Sequence, residues 1–293
     1  MRPPYPVDLV PLIPEFLTRR RSKFTFALRA IEELGIDRPA FSFVIDLSVT
    51  DPDGTDAAKL YSPYATIHDQ TRAAAAVAIG AGLAEETARG WRITGKGHDL
   101  VTRTRRAADE YLDGLALPVS REDVAKLAAM LRRGLDATIA SLDQRWHAHI
   151  PRIARMAGDR ARPMVALEAA VYGLWQARDD CHVAAWRQAE LDGPTLDVLT
   201  RIRRGEASTE DDLVAKLPRQ TRDDIRRALA RLRDGGLIAP PARLAVTDAG
   251  ARARQAIEDE TDRLFFAPWP DEVGAESAWL RDRLAAVNTA LTA

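Results

Sequence analysis

The sequence predicts a mainly α-helical chain with short β-hairpin wings, organised as two similar units that share a helical interface. Three observations predict this. One phrase occurs twice at a fixed offset, each half shows the same order of elements, and both halves close on an amphipathic helix. The phrase is IDRPAFSFVIDL at residues 36–47 and LDGPTLDVLTRI at residues 191–202. Ile36/Leu191, Asp37/Asp192, Pro39/Pro194, Phe41/Leu196, Val44/Leu199 and Leu47/Ile202 agree in character 155 positions apart. Such self-similarity is the signature of repeated architecture.

In the first block, Pro14 suits a first helical turn, and Phe16, Leu17, Phe24, Ala27, Leu28, Ile31 and Leu34 recur at helical spacing up to Gly35. One helix over 14–34 is therefore expected. The phrase then supplies a proline-started helix. A loop and a short helix follow in DPDGTDAAKLYSPY, then the alanine-rich helix TIHDQTRAAAAVAIGAGL, ended by glycine. LAEETARGWRIT reads as two strands turning at Arg89–Gly90, and Thr94 opens a helix at TGKG. Helix, helix, helix, hairpin, helix is the order of a winged helix-turn-helix, whose third helix enters a DNA groove while the hairpin reaches the backbone beside it.

The second block repeats that order. Pro163 opens MVALEAAVYGLWQ, a strongly apolar helix extending toward Trp186, and the second copy of the phrase follows. Ser208 is placed as an N-cap with Asp211 three residues on. QTRDDIRRALARLRDGGL is the candidate third helix, ended at Gly235–Gly236. LIAPPARLAVT is a shorter hairpin near Pro240–Ala242, and TDAG opens a helix to Phe265. Leu83/Leu237, Thr94/Thr247 and Gly97/Gly250 keep the offset within two residues. VSREDVAKLAAMLRRGL and VGAESAWLRDRLAAVNTAL end the halves, with Leu127 and Leu131 mirrored by Leu280 and Leu284. A tandem duplication is expected, with units at 1–150 and 151–293.

Composition narrows the function. Net charge is −1, so no global basic field announces nucleic acid, although a local basic face remains compatible with that average. Hydrophobic residues make up 46% of the chain, enough for well-buried cores. Cys181 stands alone, which rules out an internal disulfide framework and fits a reducing cytosol. No apolar run reaches membrane length, and the start lacks a signal-peptide core. A soluble cytoplasmic protein is expected.

The helix-start phrases, the wings GLAEETARGWRITGKG and GLIAPPARLAVTDAG, and the closing helix VSREDVAKLAAML together resemble MarR-type transcriptional regulators. The resemblance spans nearly the whole chain. It implies a DNA-binding regulator of transcription, and it implies that the first and last helices of each unit form a dimer surface. Two copies in one chain then resemble a dimer fused head to tail, a pseudo-dimer expected as a monomer or a weak homodimer. The resemblance also implies a small-molecule effector between the helical interface and the winged helices. Each wing tip departs from the family pattern in carrying a single arginine, Arg89 or Arg243.

At 100° per residue, Ile225, Ala228, Leu229 and Leu232 form a buried stripe on the second third helix. Arg222, Arg226 and Arg233 form a basic stripe beside it, led by Gln220 and Thr221. Arginine and glutamine read base edges bidentately, which makes these residues, with Arg243 on the wing, the candidate contacts to double-stranded DNA. The first half offers His68 and Arg72 at matching positions, with Arg89 and Arg92 on its wing. The competing reading of the stripe is a solvated face paired with Asp223 and Asp224. In that case the chain is a winged-helix scaffold without DNA binding, serving as a ligand-binding or protein-interaction module.

Trp146, Tyr172, Trp175 and Trp186 flank the boundary between halves, and either pack as core or line a pocket for an apolar effector. His147 and His149 are two apart and point to opposite helix faces, and Asp179 with His182 shares a face with Trp186, so no metal site is expected. Two aspartates near Cys181 disfavour a reactive thiolate. No phosphate loop, nucleophile elbow or dinucleotide fingerprint occurs, so neither an enzyme nor a cofactor is expected.

Overall fold

The computed structural model describes residues 5–20, 25–56, 60, 63–156, 161–239 and 244–291. The chain divides into two compact units. Unit 1 takes Met1–Thr55, Ala73–Cys181 and Asp262–Ala293; unit 2 takes Asp56–Arg72 and His182–Thr261. Each is assembled from separate stretches, so the units cut across the blocks 1–150 and 151–293.

Unit 1 begins with two helices where the sequence reading expects one, α1 (Leu12–Arg19) and α2 (Phe26–Leu34). Phe24, placed on the expected apolar face, lies outside the described residues. Gly35 ends α2 in the left-handed region at φ 61°.

Helix α3 (Arg38–Leu47) starts as the phrase predicts. Asp37 caps it by accepting from the Ala40 amide at 2.8 Å, with proline in the first turn, and Phe41, Phe43, Val44 and Leu47 are buried. The short helix expected in DPDGTDAAKLYSPY falls mostly on residues outside the described ones. The alanine-rich helix is α4 (Asp69–Gly80), whose first residues belong to unit 2.

Strands β1 (Ala84–Thr87) and β2 (Gly90–Ile93) pair antiparallel, with Thr87 opposite Gly90 at the expected turn. Helix α5 (Gly95–Asp113) then starts on Thr94, which accepts from the Gly97 amide and donates to the Gly82 carbonyl. Helix α6 (Arg121–Ser141) is followed by a 3-10 turn at Gln144–Trp146 and by α7 (Ile150–Arg155). The long apolar helix α8 (Pro163–Gln188) gives its residues up to Cys181 to unit 1.

Unit 2 carries α9 (Gly193–Arg203), α10 (Glu210–Lys216) and α11 (Arg222–Asp234) around one core. Val198, Leu199, Leu213, Ile225, Leu229 and Leu232 are buried in it. Asp192 caps α9 as Asp37 caps α3, accepting from the Thr195 amide at 2.8 Å. The cap of α10 is Thr209 rather than the expected Ser208, with Asp212 closing a capping box. Ser208–Asp211 and Thr209–Asp212 have the same spacing, and Ser208 instead donates both its amide and its hydroxyl to Asp212.

Where the sequence reading expects the second hairpin, an isolated antiparallel bridge pairs Ile238 with Val246. The expected tip at Pro240–Ala242, together with Arg243, lies outside the described residues. Helix α12 (Asp248–Phe266) begins after Thr247, which accepts from the Gly250 amide and donates to the Gly236 carbonyl.

The last part of unit 1 is α13 (Asp271–Ala275) and α14 (Ser277–Ala290). Helix α14 packs on α1 and α6. Asn288 donates to the Leu12 carbonyl at 3.0 Å, and the Trp269 indole donates to Thr138, whose hydroxyl donates to the Phe265 carbonyl. Phe16, Leu131, Leu174 and Leu284 are all buried, as the apolar stripes require.

Candidate nucleic-acid interface

Helix α11 presents the face that the sequence reading assigns to DNA. Thr221 caps it reciprocally with Asp224, fixing where the helix begins. Ile225, Ala228, Leu229 and Leu232 turn inward. Arg222 and Arg226 turn outward and are about half exposed.

Their charges do not stand alone. Arg222 reaches Glu210 at 2.8 Å and Asp211 at 2.7 Å, and Arg226 reaches Glu210 at 3.0 Å and Asp223 at 3.7 Å. The hydrogen bond from Arg222 is the main cause that holds the Glu210 carboxyl below the usual carboxylate range. Glu210 and Asp211 stand in the first turn of α10, where negative charge suits the helix dipole. The same two acids therefore favour the start of α10 and neutralise the basic stripe of α11. These pairs are solvent-exposed, and exposed ion pairs are weak.

The remaining candidates divide. Gln220 is 4% exposed; its amide nitrogen donates to the Tyr64 carbonyl at 3.4 Å, and its Oε1 is buried without a partner. The expected base reader is thus a buried residue, because the segment around Tyr64 covers it. Arg233 is half buried, with its Nε buried and unbonded. His68 has a buried, unbonded Nδ1, whereas Arg72 is exposed and pairs with Asp69 at 2.8 Å. On the first wing, Arg89 faces Asp53 at 3.5 Å, and Arg92 pairs at 2.7 Å with Glu85, its cross-strand neighbour. Two further α11 arginines, which the sequence reading does not single out, are paired as well: Arg227 with Asp224, and Arg231 with Asp192 at 2.7 Å.

The four aromatics divide between the two units. Trp186 belongs to unit 2, is 3% exposed and donates its indole N–H to the Tyr64 hydroxyl at 3.2 Å. Trp175 is 42% exposed, and Trp146 is half buried with the Arg145 guanidinium 4.8 Å from its ring centre. Tyr172 lines a cavity of about 500 Å³ in unit 1 with Arg20, Arg105 and Glu168, and burial pushes its hydroxyl pKa upward. Unit 2 holds its own cavity of about 440 Å³, walled by Tyr64, Leu196, Thr200, Leu217, Gln220 and Arg254. That cavity adjoins the turn before α11 and contains none of the four predicted aromatics.

The polar residues weighed for catalytic or metal roles make local contacts. Asp180 is fully buried and accepts from the His149 amide, the Ile150 amide and His149 Nδ1 at 2.7–3.0 Å, which fixes the start of α7. His182 instead contacts Thr261. Burial pushes the Cys181 thiol up to about 12, and the adjacent Asp180 charge adds to the shift, so a thiolate is disfavoured. Among the described residues no group of three or more His, Cys, Asp and Glu is placed to hold a metal ion, and no helix is long and apolar enough to cross a membrane.

Three helices in succession, a tight turn before the third, and a helix following a strand pair define a protein of the helix-turn-helix class. A model described as a helix-turn-helix family matches residues 83–293, and the chain belongs to that family. No curated protein and no solved structure matches the chain.

Proposed function

We propose that the chain is a DNA-binding regulator of transcription, a tandem MarR-like protein in which two winged-helix units have been fused into one pseudo-dimer. The observation that carries DNA binding is α11: a capped third helix of a helix-turn-helix family member, with its apolar stripe buried and Arg222 and Arg226 on the exposed side. The duplication is supported by the matching caps Asp37/Asp192 and Thr94/Thr247. The 440 Å³ cavity of unit 2 is the place for a small-molecule effector, since it adjoins the turn leading into α11.

Replacing Arg222 by alanine is expected to cost about 1–3 kcal/mol of binding, with specificity relaxed at one position if it reads a base. Fluorescence anisotropy on duplexes from beside the gene, across a salt series, checks this. If Arg222 contacts phosphate instead, affinity falls evenly across sequences and the salt slope becomes shallower. The converse variant, Glu210→Gln, removes the carboxylate shared by Arg222 and Arg226 and is expected to tighten binding and steepen the salt slope. The pairing of both arginines with acids favours a second reading, a winged-helix module that binds ligand or protein. A double variant lacking Arg222 and Arg226 that binds every duplex as wild type does would show that α11 is not the reader, and failure of wild type to bind any duplex would favour that second reading.

A further inference from the structure

We infer that Tyr64–Ile67 is an intramolecular latch on the leading end of α11, and that it must release before the chain engages two successive major-groove sites. The inference rests on the DNA-binding reading above.

The latch takes the groups that a DNA-reading end would present. Both the Thr66 and the Ile67 amides donate to the Arg219 carbonyl, at 2.8 and 2.9 Å. The Thr66 hydroxyl donates at 2.5 Å to Asp224 Oδ2, the same oxygen that accepts from the Thr221 amide and hydroxyl. The Gln220 amide reaches back to the Tyr64 carbonyl, and the Tyr64 hydroxyl holds the Trp186 indole. At Gly193 an added Cβ would lie 2.5 Å from the Pro63 carbonyl oxygen, so glycine is what lets this segment approach.

Burial works against the Asp224 charge, yet the hydrogen bonds from Thr221 and Thr66 and the nearby Arg227 hold its carboxyl below the usual range. The Thr66–Asp224 bond is nevertheless solvent-exposed, so it opens without uncovering a core. Tyr64 bonds Trp186 and Gln220, whereas the Thr66–Asp224 bond, nearest the start of α11, is the exposed one.

The geometry sets the consequence. Asp69, the first residue of α4, is two residues beyond Ile67, and Arg222 is three beyond Arg219. At 3.8 Å per residue plus one hydrogen-bonded contact, the two helix starts lie within roughly 25 Å of each other. Equivalent helices reading half-sites one turn apart need about 34 Å. In the latched form, one helix start at most occupies a groove.

The test is Thr66→Val, which keeps the side-chain shape and removes the hydroxyl, with Thr66→Ser as the conservative control. On a duplex carrying two sites one turn apart, Thr66→Val is expected to bind about 3- to 10-fold tighter than wild type, by shifting the population toward the open form. Thr66→Ser should match wild type. Spin labels on Gln70→Cys and Ala230→Cys should report a longer distance in the Thr66→Val background and on DNA; Cys181 is buried and remains unlabelled. Equal affinity and an unchanged label distance for wild type and Thr66→Val overturn the latch while leaving DNA binding in place. Failure of both proteins to bind any duplex overturns the latch and the DNA-binding reading together.

Discussion

Replacing Gly250 by alanine is expected to destabilise the chain by about 2–4 kcal/mol, and Gly97→Ala should cost a similar amount. A Cβ on Gly250 would stand 2.0 Å from the Leu237 carbonyl oxygen and 2.9 Å from Val246; on Gly97 it would stand 2.2 Å from the Leu83 carbonyl oxygen. In both cases the obstacle is backbone rather than a movable side-chain tip. That carbonyl is also occupied, accepting from the cap residue's amide, Thr247 on Leu237 and Thr94 on Leu83, at 3.1 Å. Relaxing the clash therefore breaks the junction between hairpin and helix. Urea unfolding midpoints measure the loss, with Gly95→Ala as control. Gly95 opens α5 with nothing within 4 Å of its would-be Cβ, so that change should be neutral or slightly stabilising. A Gly250→Ala protein as stable as Gly95→Ala would show that the close approach does not hold.

The second large effect is expected at Asp180. Removing its carboxylate with Asp180→Ala leaves the His149 and Ile150 amides without their acceptor in a buried site, and leaves His149 Nδ1 facing only Asp179, at 3.3 Å. Deleting one partner of a buried charged network costs about 3–5 kcal/mol. Asp180→Asn keeps the volume and one acceptor oxygen and should retain part of the stability. Calorimetric unfolding of the two variants separates packing from hydrogen bonding. If both unfold at the wild-type temperature, Asp180 does not anchor the start of α7.

Much of this architecture is legible in the sequence because it is written in local chemistry. Asp37 and Asp192 cap helices three residues from the amides they accept, and Thr94 and Thr247 do the same. The stripe Ile225, Ala228, Leu229 and Leu232 follows from helical periodicity alone. The candidate site is less legible, because its decisive contacts are distant in sequence. Glu210 lies 12 residues from Arg222 and 16 from Arg226, beyond the i+3 and i+4 pairs that a helical reading considers. Gln220 looks like a free polar residue at a helix start until Tyr64, 156 positions earlier, covers it. The shift of the α10 cap from Ser208 to Thr209 arises from two overlapping pairs of equal spacing, which pattern alone does not separate. The tryptophans lie near one another in sequence, yet Trp186 belongs to a different unit from Trp146 and Trp175.

The way the two units share the chain bears on how the protein can be dissected. The backbone passes between them at 55/56, 72/73, 181/182 and 261/262, and the last three passages fall inside helices α4, α8 and α12. No single scission, by protease or by cloning, isolates either unit from the other. A fragment ending at residue 150 lacks 151–181 and 262–293 of unit 1 and retains only 56–72 of unit 2. Both termini belong to unit 1, so loss of either one removes structure from the same unit.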